Sequence, residues 1–543
     1  MKNKIIVLMF ALGGLVSSCS DAYDIVQKGD NHDPYEVYRN ADDVRLGINA
    51  IYSSIPSSTE VSLSSIFTDE VSIGLNNGGQ GVLDGEYTFM MEADNSYAAS
   101  IWSSYYAMIH RINRLEEISK KLMEDASAAQ KTVHEQNLAE LYVLRAFAHY
   151  KLFAYFTPDY KNNSGLSAII LDHVPPTDYT YSLPRNTVKE VKDFILNDLE
   201  TAESLRTTSW GDANYVNAGA INAIRVKLFS MTEEYDKVIE YGEQIMSQYT
   251  LSNGNEYANL FARVDANYID LPDFKEVIFR SKSTINTGPR PVSIWYSARA
   301  SSDGSFFYEM GRSLYNELDK LDPSKLGQAA NASRNDVRYG VNLLPSGIFS
   351  SNTGSKVLLN YENASLSEFK IGDILLIGKY RGTTGNNLAN NVNIFRVSDI
   401  LLAMAEARAF QQVFSDGSTD PDDIINQRTS VYSILYTLRY NRLANTSDLS
   451  TINLSIPTNS QQAYKAILDE RRVEFAFEGH RYLDMKRLGV KANSEGFVRY
   501  SKDCADTGAC HLPANSNKLT LPIPVGELNG NLVLTSDQQN PGY

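Results

Sequence analysis

Residues Ile467–Gly489 (ILDERRVEFAFEGHRYLDMKRLG) constrain the fold more than any other stretch, because charge and apolar bulk interleave there at helical spacing. Leu468, Val473, Phe475, Phe477, Tyr482, Leu483 and Leu488 form an apolar seam. Glu470, Arg471, Arg472, Glu474, Glu478, Arg481, Asp484, Lys486 and Arg487 are threaded through it. Opposite charges three or four apart share one face of a helix, as Glu478 and Arg481 do. The spacing predicts one long, salt-bridged, partly buried helix. Scaffold ion pairs are the common use of such charges, and a perturbed catalytic group is the rarer one.

The two ends of the chain differ from its body. Lys2 and Lys4 precede the apolar run Ile5–Val16, which is too short to span a bilayer and reads as a secretory signal over residues 1–18. Val16-Ser17-Ser18-Cys19 follows and is similar to a bacterial lipobox, with Val16 where leucine is usual. Cleavage there would leave Cys19 as a lipidated N-terminus. Ser20 and Asp21 resemble a signal for display on the cell surface. The formal charge of −15 becomes two units more negative without the two lysines. Such an acidic exterior argues against nucleic acid and against an anionic lipid surface as partners. It suits a body held to the membrane by acyl chains.

Helical periodicity recurs at Ala41–Ile55, Tyr97–Leu122, Ala129–Phe156 and Val188–Leu205. Asn217–Met231 and Asp236–Tyr249 form the clearest helix–turn–helix, with small residues Ala218, Gly219, Ala220 and Ala223 permitting close approach. The pair resembles a tetratricopeptide unit, although no clean repeat period runs through the chain. From about 251 to 393 turn clusters and short apolar runs replace the helices. Helix is expected again over Ile394–Gln411, 428–443 and 461–488. Leu521-Pro522-Ile523-Pro524 and Asn540-Pro541-Gly542-Tyr543 are extended by proline.

Several of these segments carry a family resemblance. The arrangement E-R-R-x-E-F-A-F-E-G-H-R-Y-x-D-x-K-R within Ile467–Gly489 resembles the C-terminal signature of the RagB/SusD lipoproteins. These are surface nutrient-binding partners of TonB-dependent outer-membrane transporters in Bacteroidetes. Leu144-Arg145-Ala146-Phe147-Ala148-His149-Tyr150, Phe395–Ala407 and the two proline-containing endings resemble further segments of that family, in the same order. The resemblance implies a mainly α, SusD-like fold, in which tetratricopeptide-like helix pairs pack against a loop-rich region with short strands. The expected organisation is a signal peptide at 1–18 and a single body at 19–543. Its helical scaffold would occupy about 41–250 and 394–488, and its loop-rich, ligand-facing part about 251–393 and 489–543. The family role is that of a lid on a SusC-like TonB-dependent barrel, lipid-anchored in the outer membrane and facing the exterior.

No hydrolytic, nucleotide-binding or metal motif stands out, so no enzyme, cofactor or metal is expected. His32, His110, His134, His149, His173, His480 and His511 show no ligand spacing. Cys504 and Cys510 read as a small local disulfide in an exported protein. A zinc site would need more ligands than these two and His511 supply. Two loops are the candidate ligand contacts. Phe67–Tyr87 carries Asp69, Glu70, Asn76, Asn77 and Gln80, short polar groups that can pair with hydroxyls or a peptide backbone. Arg290–Tyr308 carries Trp295, Tyr296, Arg299 and Tyr308, whose rings offer platforms for stacking. Solvated charge for the acids and a core-anchored loop for the aromatics are the competing readings. An oligosaccharide is the expected ligand, with an oligopeptide, or a structural lid that binds little, as alternatives.

Overall fold

The computed structural model describes residues 37–543 except 76, 78, 80, 83–84, 177–179, 206–211, 262–274, 283–306, 329–331, 345–354 and 381–389. The signal segment, Cys19, Asn76, Gln80, Trp295, Tyr296 and Arg299 therefore lie outside the described residues. Helices dominate the rest. In chain order the main ones are α1 (Ala41–Ser53), α2 (Ser57–Ile66), α3 (Ser96–Glu124), α4 (Ala128–Phe156), α5 (Val188–Leu205), α6 (Ala218–Thr232) and α7 (Tyr235–Met246). They continue with α8 (Arg312–Asp319), α9 (Val397–Phe410), α10 (Val431–Tyr440), α11 (Ser460–Glu474) and α12 (Arg481–Leu488). Three short antiparallel strand pairs accompany them. β1 (Val71–Ile73) pairs with β3 (Tyr308–Met310), β2 (Val277–Ser281) with β4 (Val392–Arg396), and β5 (Gly496–Val498) with β6 (His511–Pro513).

The predicted helices form for local reasons. Asn95 caps α3 by accepting from the N–H groups of Tyr97 and Ala98, and Ser127 and Gln130 make a reciprocal capping box at the start of α4. Arg145, in the middle of α4, then ties three helices together. It makes two 2.8 Å bonds to Asp198 of α5 and reaches Glu116 and Asn113 of α3. In the α6–α7 pair Asn217 caps the first helix, and Glu233 ends it in a left-handed conformation at φ 62°. Gly242 of α7 lies against α9, where an added Cβ would come within 2.7 Å of the Met404 sulfur.

Two sequence expectations need correction. Helix does not begin at Ile394: Val392–Arg396 is strand β4, because its backbone pairs with the buried β2, and α9 starts at Val397. The signature segment is also two helices and not one. Between α11 and α12 the chain breaks at Phe477 and Gly479, with φ values of 62° and 86°. Glycine adopts that conformation freely, whereas phenylalanine does so at a cost. At Phe477 the cost is offset by full burial and by its N–H donating to a Glu70 carboxylate oxygen at 3.1 Å.

Buried apolar residues fall into two clusters. One fills the helical scaffold and includes Phe147, Ile400, Leu435, Ile467 and Phe475. The other lies under the loop-rich part and includes Val71, Tyr257, Leu314, Tyr315, Tyr380 and Phe477. Charge occupies the seam between them. The Arg396 guanidinium stands 5.0 Å from the Phe475 ring of the first cluster and 5.8 Å from the Tyr257 ring of the second.

Candidate functional site

The two signature helices send most of their charges inward, in three directions. Glu474 accepts from Arg396 at 2.9 Å, Arg442 at 2.9 and 3.1 Å, and Arg338 at 3.3 Å. Glu276 shares Arg396 and Arg442, Glu478 shares Arg396 and Lys379, and Glu470 joins Arg338 to Arg439. Burial alone would raise the Glu474 carboxyl, but Arg442, Arg396 and Arg338 hold it well below the usual range. Arg471 turns the other way, to Asp399 at 2.7 Å and Asp484 at 2.8 Å. Burial pushes His480, stacked on Phe475, down to about 3, so it is neutral. These charges are a scaffold.

Arg472 and Arg481 point toward the loops and meet Asp69. Arg481 grips both Asp69 oxygens at 2.9 Å, and Arg472 lies 3.0 Å away. Burial favours a neutral Asp69, yet the two cations hold it down at about 2. Glu70 is equally enclosed. Burial pushes it up to about 7 despite bonds from the Ser65 hydroxyl and the Phe477 N–H. The expectation that Asp69 and Glu70 meet ligand is corrected here. Both are at most 1 % exposed and committed to the signature helix, and neither is solvated charge. They anchor the polar loop from beneath.

Above that anchor the first predicted loop meets Phe307 and Tyr308, the described end of the second. β1 leaves Glu70 and pairs with β3, so Ile73 sits opposite Tyr308 and Ser72 opposite Glu309. Beyond the strands, Gly74 N–H and the Asn77 amide both donate to the Phe307 carbonyl, at 2.9 and 3.0 Å. Tyr308 is half-buried at the edge of this pairing. The loop after β1 then forms one wall of a cavity of about 180 Å³, which also involves Glu309, the short helix Leu366–Gly372 and the 502–506 turn. That turn belongs to a loop closed by the Cys504–Cys510 disulfide, as the sequence led us to expect. Arg499 fastens its base, donating to the carbonyls of Ile66, Thr68 and Ala509 from between the Tyr87 and Phe89 rings.

Of the residues singled out in the sequence, Asn77 lines this cavity and Tyr308 does not; Glu309, Phe369, Lys370, Asp373, Lys502, Asp503 and Asp506, which the sequence did not single out, line it too. The six-residue cysteine spacing was the one available signal, since it marked a rigid polar turn. Trp102, expected in a helix, is buried in α3 and donates to Glu527. Burial pushes Asp503 up to about 7 against the Arg312 N–H, and raises Asp373 despite its 2.6 Å contact with Arg312. On the far side of that pair, Arg312, Asn316, Lys320 and Tyr361 line a wider groove of about 500 Å³. The two hollows thus share a wall, a layout suited to an oligomer.

Glu309 yields a test of this electrostatic description. Burial pushes it from an ordinary 4.5 up to about 7, although Leu75 and Leu375 donate N–H groups to it. A folded-state value above the unfolded one gives stability that is complete below about 4.5 and lost as the pH rises through about 7. Relative to Glu309→Gln, the unsubstituted chain should lose about 3 kcal/mol between about pH 4 and pH 8. Urea unfolding across that range measures it, and parallel profiles would refute it.

Comparison with known proteins agrees with this architecture. Residues 36–224 match the family described as starch-binding, associating with outer membrane, and residues 349–543 match the SusD family. The chain belongs to the SusD/RagB family. A SusD-like protein, P2, from Formosa agariphila is 24% identical over 526 residues, covering 94% of each chain. A SusD superfamily structure from Bacteroides thetaiotaomicron superposes with a TM-score of 0.67 at 20% identity, covering 92% of this chain and 100% of that one. A SusD-like carbohydrate-binding protein from Bacteroides vulgatus gives 0.64 at 17%, covering 92% and 98%. The fold is therefore SusD-like, and the last of these neighbours is described as carbohydrate-binding. No helix among the described residues is long and apolar enough to cross a membrane.

Proposed function

We propose that this chain is a surface-exposed outer-membrane lipoprotein that captures nutrient oligosaccharides and serves as the lid of a SusC-like, TonB-dependent barrel. The observation that carries the ligand reading is a polar cavity walled by the loop after β1, with Asn77, and by Glu309 of β3, which the β1–β3 pairing holds beside it. The adjoining groove gives an oligomer room to extend past the Arg312–Asp373 wall. The family description, with its starch binding and outer-membrane association, supports the same reading. Lipidation at Cys19 would supply the anchor, and Trp295, Tyr296 and Arg299 would complete the contact surface beside Asn77 and Tyr308.

Isothermal titration of the full mature chain against oligosaccharide and oligopeptide libraries tests the proposal. Saccharide binding should weaken by about 1 kcal/mol or more in Trp295→Ala if that ring is a stacking platform. Peptide binding without saccharide binding would replace the glycan reading with an oligopeptide one. Binding to neither, with the barrel complex intact, would leave a structural lid. Cys19→Ala should release the protein from membranes.

A further inference from the structure

The cavity beside Asn77 is built from acceptors. Glu309, Asp373, Asp503 and Asp506 line it, and its two lysines are already engaged. Lys370 donates to Asp506, while Lys502 donates to the main-chain carbonyls of Tyr361, Glu362 and Ala364. Arg312 stands behind Asp373 and is paired with it. Asn77 provides an independent sign. It is 2 % exposed, its amide nitrogen is used on Phe307, and its Oδ1 has no hydrogen-bond partner among the described residues. A buried acceptor without a donor is costly, and a ligand hydroxyl or ammonium would satisfy it.

Resting on the saccharide reading above, we infer that this cavity takes uncharged or amine-bearing sugar units and rejects uronate and sulfated ones. An anionic unit would bring its oxygens, which need donors, against a lining of carboxyl groups that are acceptors or only part-ionised, with the hydrogen-bonding capacity of both lysines already engaged. Like charges brought together in a partly desolvated site are strongly unfavourable. The net charge of −15 works in the same direction at longer range. A hydroxyl-rich or amine-bearing unit meets none of this repulsion and supplies the donors that the carboxylates and Asn77 can use.

The test is a titration of the full mature chain with hexasaccharides matched in linkage and differing in charge. One set is cellohexaose, a fully deacetylated chitosan hexamer and a β-1,4-linked glucuronate hexamer. A second is maltohexaose with its C6-oxidised α-1,4-linked glucuronate counterpart, and a third replaces the uronates with sulfated forms of the neutral sugars. In any set that binds, the anionic member should be about tenfold weaker or more than its neutral or amine-bearing partner. Asp503→Asn and the more exposed Asp506→Asn should each narrow that gap. An anionic hexamer that binds as tightly as its neutral partner overturns the inference and leaves the saccharide reading standing. Peptide binding with no hexasaccharide binding overturns both.

Discussion

Glu474→Ala should lower the unfolding free energy by roughly 3–5 kcal/mol, the largest loss expected from any single surface-silent change in this chain. The glutamate is completely buried, and Arg338, Arg396 and Arg442 all donate to it. Removing it leaves three guanidiniums in a low-dielectric seam with Glu276, Glu470 and Glu478 as their remaining shared partners. Glu474→Gln keeps the shape and loses the charge, so it should recover little of the deficit. The exposed Lys465–Asp469 pair on the same helix is the control, and breaking it should leave the unfolding midpoint unchanged. Chemical denaturation reads all three variants. A Glu474→Ala midpoint close to that of the unsubstituted chain would show that the seam does not depend on its central carboxylate.

Asp69→Asn should cost roughly 3 kcal/mol, because Arg481 loses a bidentate partner and Arg472 loses its counter-charge. It also has a pH signature. Asp69 is held at about 2, below its ordinary 3.8. A depressed carboxyl contributes stability above the unfolded value and loses it as the pH falls through the folded one. The unsubstituted chain should therefore surrender about 2 kcal/mol relative to Asp69→Asn as the pH drops from about 4 to below 2. The two readouts are separable. A loss at neutral pH without the acid convergence would mean that Asp69 acts through packing alone.

Much of the scaffold was legible because its causes are local. Apolar spacing marked Ala41–Ser53, Ser96–Glu124, Ala128–Phe156 and Val188–Leu205 within a few residues of their ends. The break at Phe477 was not legible, because its left-handed conformation depends on Glu70, which lies far away in the chain. α2 passed unnoticed because its serine-rich sequence has little apolar pattern, although it is almost wholly buried. The site shows the same division. Asn77 stood out by type and company, whereas Asp69 and Glu70 read as ligand contacts or as solvated acids, and nothing local marked their burial against Arg472 and Arg481. Glu309, Asp373 and Asp503 carried no local signature at all. They belong together only because strand pairing and a disulfide loop bring three distant segments to one cavity.

The charged seam also sets an order of assembly. Asp69 and Arg481 are 412 positions apart, and Glu70 is 407 from the backbone N–H of Phe477. Glu276 likewise needs Arg396, and Arg338, which has Asp336 close by, needs Glu470 to complete its pairing. A chain made from its N-terminus therefore carries buried-to-be charges whose counter-ions do not yet exist, and enclosing them early would be uphill. Contacts this remote in sequence also slow folding. The early helices can form and pair, but the loop that shapes the cavity cannot lock until nearly the whole polypeptide is present. The last part made completes the first.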